Sequence, residues 1–226
     1  MPLLQAGPSR FLGRRAAWYR AGGSPAPVAA YQPKGAASLA ASYVNLANPG
    51  TYNAAPGVAP TLGANGWTFD GTTQYLTTGV IPDVTTSSWS MIARIVGASG
   101  ATNNTIAGCV DATPTPDVVF TLICRPDGPA VFAGNGQSAG GLSVTVTSGV
   151  IALAGSRVYI DGVDRFAAGT TIGGINTRPA TIYIGASYTN GAVASFFTGT
   201  IAALTIYNTT LTAAQVAAVS AAMAAL

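Results

Sequence analysis

From residue 67 to residue 207 the chain is made of short runs in which apolar and polar residues alternate, cut every few positions by Gly, Asn or Pro. In 89–96, for example, Trp89, Met91, Ala93 and Ile95 fall on one beat and Ser90, Ile92 and Arg94 on the other. A period of two marks a strand with one face turned to a core. The same reading predicts strands over 28–32, 67–70, 74–77, 105–110, 118–124, 130–133 and 142–147, and then over 150–153, 157–160, 163–166, 181–185 and 199–207. Gly71-Thr72-Thr73 is expected to join 67–70 and 74–77 as a hairpin. Asp161-Gly162 is expected to be a tight turn, because both residues tolerate positive φ. Residues 33–60 read as a turn-rich connection, with Asn48-Pro49-Gly50 and Pro56-Gly57 as its turns. Many short alternating strands broken in this way predict an antiparallel sandwich.

The two ends differ from this body. Thr212-Ala213-Ala214-Gln215 has the spacing of a capping box, and Val216, Val219, Met223 and Leu226 then recur at helical intervals. This apolar stripe predicts a short Ala-rich helix over 211–226, packed on the sandwich or set against a neighbouring subunit. Residues 1–27 carry Arg10, Arg14, Arg15 and Arg20 with no acid, interleaved with Phe11, Trp18 and Tyr19, and close in Gly22-Gly23-Ser24-Pro25-Ala26-Pro27. Gly and Pro oppose a long helix there, so an extended arm with at most one turn is expected. Arg forks and rigid rings suit docking onto a partner. The expected division is an arm over 1–27, a β body over 28–210 and a helix over 211–226.

Composition sharpens the functional question. Only 8% of the 226 residues are charged, with no Glu, no His and one Lys (Lys34), and the formal net charge is +3. So weakly charged a surface tends to self-associate, which suggests cover by neighbouring copies. A charge of +3 is too small to make nucleic acid the main partner. No secretory h-region is visible at the start, and the apolar 211–226 stretch is too short to span a bilayer. Cys109 and Cys124 sit in apolar runs and read as buried free thiols, able to pair only if their strands are neighbours.

Several segments occur in an order that resembles the laminin-G-like (concanavalin A-like lectin/glucanase) superfamily. They are Phe69-Asp70-Gly71, Trp89-Ser90-Met91, Tyr159-Ile160-Asp161-Gly162 and Ile184-Gly185-Ala186. The final strand Gly199 to Tyr207 and the helix start Leu211 to Gln215 complete the series. The resemblance implies an all-β antiparallel jelly-roll sandwich, here with an N-terminal arm and a short C-terminal α-helix. It also implies similarity to domains that phage tail and capsid proteins carry after a short arm.

Enzymes of that superfamily use paired carboxylates, usually glutamates, and this chain has none. Its seven Asp lie mostly beside Gly or Pro, and without His no Ser–His or Cys–His nucleophile can form. No resident cofactor is expected. Relatives that bind calcium do so through a loop Asp, which makes Asp111 and Asp117 weak calcium candidates. Asn135, Gln137, Tyr188 and Asn190, with Asn103 and Asn104, fall in predicted loops and are candidates for sugar contacts. The resulting expectation is a non-enzymatic structural protein of a phage virion, either a capsid decoration or part of the tail or fibre. Its partners would be other virion proteins and its own copies, with Arg10, Phe11, Arg14, Arg15, Trp18, Tyr19 and Arg20 docking it. The rivals are a lectin-like module binding host surface glycans and a cell-surface adhesion or filament subunit.

Overall fold

The computed structural model describes residues 17–83, 88–100, 104–111, 118–124, 131–135, 138–142, 144–165, 180–189 and 191–226. Its first strands are β1 (Ala29–Tyr31), β2 (Ala55–Val58), β3 (Thr61–Gly63), β4 (Gly66–Asp70), β5 (Tyr75–Thr77) and β6 (Ser90–Val96). Then come β7 (Asn104–Asp111), β8 (Val118–Cys124), β9 (Val131–Asn135), β10 (Ser138–Leu142), β11 (Gly149–Ala154) and β12 (Arg157–Ile160). The series closes with β13 (Val163–Asp164), β14 (Tyr183–Ile184), β15 (Ser187–Thr189), β16 (Ala192–Ala194) and β17 (Thr198–Tyr207). Helices α1 (Leu39–Ser42) and α2 (Ala213–Ala224) and a 3-10 segment (Trp18–Gly23) complete the elements.

Two antiparallel sheets face each other in the sandwich that the alternation predicts, and its form is jelly-roll-like, as the resemblance implies. Sheet I runs β13-β12-β11-β6-β17-β4-β3, with β1 also on β17, and sheet II runs β10-β9-β8-β7-β14-β5-β2. Trp67, Met91, Ile95, Ile151 and Leu204 from sheet I meet Leu76, Ile106, Phe120, Leu122 and Ile184 from sheet II, all fully buried. The alternation of β6 is realised with both faces covered. Met91, Ala93 and Ile95 enter this core, while Ile92 enters a second cluster on the outer side of sheet I.

That second cluster is roofed by α2 and the 3-10 segment. Thr212 and Gln215 form the expected capping box, each side chain bonding the other's backbone N–H. Val216, Val219 and Met223 are fully buried against Ala152, Ala203 and Tyr207, with Leu226 half-buried beside them. The apolar stripe is therefore consumed by the chain's own sheet rather than offered to a neighbouring subunit. Arg94 donates from Nη1 to the Met223 carbonyl at 3.0 Å, where a helix C-terminus favours a cation. Asp161 and Gly162, at φ 50° and 77°, make the expected turn directly under α2. A Cβ at Gly162 would lie 2.9 Å from the Ala217 Cα, so only glycine lets the helix this close.

The arm expected to run freely to residue 27 is bound to the body from Trp18 onward. Trp18 is 9% exposed and donates Nε1–H to Gln32 Oε1 at 2.9 Å. Tyr19 donates its hydroxyl to the Leu46 carbonyl at 2.9 Å, and its own carbonyl accepts from the Tyr207 hydroxyl at 2.6 Å. Trp18 and Tyr19 thus dock on this chain, because the cluster beneath α2 leaves an apolar seat that their rings fill. Arg10, Phe11, Arg14 and Arg15 lie outside the described residues.

Other expectations change for identifiable reasons. Strands β4 and β5 do not form a hairpin but lie in opposite sheets. Asp70 draws the chain across between them, its carboxylate accepting from the N–H groups of Thr72, Thr73 and Gln74 at 2.8, 2.9 and 3.2 Å. The 33–60 connection contains α1 and β2. Residues 144–147 are not a strand, and β14 is shorter than its predicted run. Strands β7 and β8 are neighbours, yet Cys109 faces Phe120 and Cys124 faces Asn104, at opposite ends of the ladder. Neither is in a disulfide, and both are buried.

Candidate functional site

The outward face of sheet II, around β14-β5-β2, gathers exposed chemistry that the core does not need. On β5 the pleat sends Leu76 inward and Tyr75 and Thr77 outward; on β14 it sends Ile184 inward and Tyr183 outward. The register sets Tyr183 opposite Thr77, and Thr77 opposite Ala55 on the edge strand β2. The hairpin β15–β16 then brings Tyr188 and Phe196 to the same place. Tyr188 stacks on Tyr183 with ring centroids 5.7 Å apart and planes 13° from parallel. Tyr75 lies 5.7 Å from Tyr183 and 6.4 Å from Phe196. All four rings are only half-buried. Burial pushes the Tyr183 hydroxyl pKa up, with the neighbouring Tyr75 and Tyr188 adding to the rise, so all of its titration lies on the alkaline side.

Tyr75 is held from below by a glycine. A Cβ on Gly57 would fall 2.1 Å from Cζ of the Tyr75 ring, so the ring lies flat across the bare β2 backbone.

Beside this array an open groove of about 430 Å³ is lined by Gly50, Tyr52, Asn53, Ala55, Thr77, Thr78 and Gly79. Thr77 belongs to both features. The groove's wall is rigid for a loop. Asn53 Oδ1 accepts from the N–H of Asn45 at 2.9 Å and of Gly50 at 3.2 Å, while its Nδ2 has no hydrogen-bond partner among the described residues. Tyr52 is held at φ 56°, unusual for a bulky residue, and its carbonyl accepts from the buried Tyr31 hydroxyl at 2.5 Å. Strain of this kind persists only where the surroundings impose it. Among the described residues, no charged side chain lines the groove. Aromatic faces with a few placed amides and hydroxyls suit a neutral polyhydroxylated ligand, which offers apolar C–H faces and a rim of hydroxyls.

Of the sugar-contact residues expected from sequence, only Tyr188 belongs to this array. It stands on strand β15 rather than in a loop. Asn135 ends β9, paired across the ladder with Ser138 and Phe120. Asn104 is buried structural amide, donating to the Ser99 carbonyl and accepting from the Thr198 N–H. Asn103, Gln137 and Asn190 lie outside the described residues. Of the calcium candidates, Asp111 ends β7 and Asp117 lies outside the described residues; among the described residues no cluster of three metal-ligating side chains occurs. Tyr75, Tyr183 and Phe196 went unnoticed. The available signal was a Tyr on the outward beat of the apolar run Ile182-Tyr183-Ile184.

A family model described as the concanavalin A-like lectin/glucanases superfamily, of laminin G type, matches residues 70–217, about two thirds of the chain. The chain belongs to that superfamily. The matched span contains all four rings and the Thr77 wall of the groove, while the Gly50–Ala55 wall lies before it. No curated protein matches this chain in sequence. Among solved structures it is similar to Trypanosoma rangeli sialidase bound to 2,3-difluoro-KDN (TM-score 0.58, 16% identity), over 86% of this chain and 32% of that one. It is also similar to a mutant of HCR/D (TM-score 0.54, 12% identity), over 87% of this chain and 52% of that one. Domain 4 of the GH43 arabinanase AbnA from Geobacillus stearothermophilus, in complex with arabinotriose, aligns at TM-score 0.47 and 16% identity over 86% and 98%. The chain spans about one third of the length of the sialidases it matches, and at these identities the likeness is one of fold.

Proposed function

We propose that this chain is a non-enzymatic carbohydrate-binding module whose binding face is the Tyr75–Tyr183–Tyr188–Phe196 array. The observation that carries this reading is four half-buried rings in contact across β5, β14 and the β15–β16 hairpin, next to a groove in which no described residue is charged. Membership of a superfamily that includes lectins supports it. Against catalysis stands the absence of Glu and His from the chain and, among the described residues, of any carboxylate from the groove wall. The test is a glycan array and calorimetry on the protein and on Tyr188→Ala. Binding to at least one glycan, weakened about tenfold or more by the substitution, is expected. Loss of no affinity on removing Tyr188 and Tyr183 together would sink this assignment of the face.

A second reading concerns where the module works. The module is displayed by a larger particle, a phage virion, with residues before Trp18 contacting other virion proteins. The Trp18–Tyr19 latch supports it. That latch lies on the outer side of sheet I, so the segment carrying Arg10, Phe11, Arg14 and Arg15 joins the sandwich on the side opposite the ring array. Anchoring on one side and presentation on the other suit a displayed domain, and a surface this poor in charge suits cover by further copies. Light scattering of the full chain and of a form lacking residues 1–16 tests this: oligomers or shell binding in the first alone is expected. Monomeric behaviour of both would discard it.

A further inference from the structure

Resting on the carbohydrate-binding reading, we infer that the ligand is an uncharged oligosaccharide that runs from the ring array into the groove beside β2, with Asn53 as the donor that recognises its far end. Two observations set the length of the ligand. Array and groove are contiguous, because Thr77 lines the groove and stands directly opposite Tyr183 in the ladder. Their surfaces differ in kind: the array offers ring faces, the groove offers an amide, hydroxyls and backbone. One sugar unit can sit on the rings, but only a chain reaches both.

The places of the described cations favour a neutral ligand. Arg94 is spent on the α2 C-terminus, and Arg157 pairs with Asp164 at 3.0 Å on the far edge of sheet I. Lys34, Arg165 and Arg20 lie in segments bonded to sheet I or packed on it. Among the described residues, none stands on the outward face of sheet II. A carboxylated sugar entering this face would lose water and gain no counter-charge from any described residue, and so would bind more weakly than a neutral one. A neutral chain has no such loss.

Asn53 is the specificity element because its amide is oriented. Two backbone N–H groups hold Oδ1, so the amide is fixed and Nδ2, which no described residue accepts from, is left as a donor. Asn53→Asp keeps an oxygen for both N–H groups and exchanges that donor for an acceptor.

The experiment titrates arabino-, cello- and malto-oligosaccharides, mono- to pentasaccharide, into the wild type, Asn53→Asp and Tyr188→Ala. Sialyllactose and oligogalacturonides serve as acidic probes, and thermal melting checks that each variant is folded. In one neutral series, affinity should rise at least about tenfold with length. Asn53→Asp should abolish that gain while leaving the shortest binding member unchanged, and Tyr188→Ala should weaken every member. Tightest binding to an acidic probe overturns the inference and leaves the carbohydrate reading standing, as does affinity independent of length or an Asn53→Asp variant identical to wild type. Absence of binding to every probe, neutral and acidic, overturns both.

Discussion

Replacing Asn45 by alanine should unfasten the edge of sheet I and the wall of the groove together. Asn45 is fully buried, and its amide uses all four of its bonding positions. Oδ1 accepts from the N–H of Ala30 at 2.9 Å and of Ala47 at 3.0 Å, while Nδ2 donates to the carbonyls of Val28 at 3.0 Å and Thr51 at 2.9 Å. Ala30 and Val28 flank the free edge of β1, so this side chain acts as the strand that β1 lacks there. Asn45→Ala orphans Ala30 N–H and the Val28 carbonyl in a dry place, at about 1.5 kcal/mol each. Ala47 and the exposed Thr51 can turn to water, at about 0.5 kcal/mol each, which makes about 4 kcal/mol in all. For a domain of this size that corresponds to a fall in Tm of about 12 °C. Urea unfolding and calorimetry on Asn45→Ala and Asn45→Asp read it. The aspartate keeps both accepted bonds but sets a buried carboxylate oxygen against the Val28 and Thr51 carbonyls, so it should lose at least as much. A loss below about 1 kcal/mol for Asn45→Ala would show that water replaces the amide, and the edge-strand argument would fall.

Four further outcomes follow from the same contacts. Trp18→Ala should cost about 3 kcal/mol in urea unfolding and speed tryptic cleavage at Arg20; unchanged stability would mean that the latch is decorative. Gly57→Ala should leave melting nearly unchanged while tilting the Tyr75 ring off its seat and weakening glycan binding several-fold, read by calorimetry. Thiol titration should find no reactive cysteine in the native protein at pH 8 and both after denaturation, since burial excludes reagent and pushes the Cys124 thiol from 9.0 up to about 11. Burial likewise pushes Tyr207 up to about 12, eased by its bond with Thr205. An unfolded chain would therefore release these protons first, so stability is whole below about pH 9 and falls as pH rises toward about 12, as pH-dependent urea titration would record.

What could be read from sequence was what is local. The alternation of β6, the Asp161-Gly162 turn and the Thr212–Gln215 box depend on neighbours in the chain, and each stands where its residues put it. Gly71-Thr72-Thr73 was local too, yet misleading: turn residues declare a bend and not the sheet to which the next strand goes. That choice was made by the carboxylate of Asp70 and by the inward demand of Leu76. Trp18 and Tyr19 looked like contact residues because an aromatic in a Pro- and Gly-rich tail carries no mark of its partner, here Gln32, Leu46 and Tyr207. The ring array was hidden for the same reason. Its members come from three separate segments, and only cross-strand register and a hairpin unseen in the pattern bring Tyr75 to Phe196.

The ten-residue strand β17 joins β6 along one side and, end to end, β4 and β1 along the other. It is the spine of sheet I, and among the described strands it is the last in chain order to be made. Until Thr198–Tyr207 emerges, β1, β4 and β6 have no partner in the centre of their sheet, and the seat for Trp18 has no Tyr207 or α2 to close it. Until then β3 can pair with β4 and β6 with β11, but sheet I has no strand to join the two pairs. Contacts this distant in sequence make that joining step slow. A fragment ending before residue 198, however long, is a chain for chaperones rather than a smaller version of the fold.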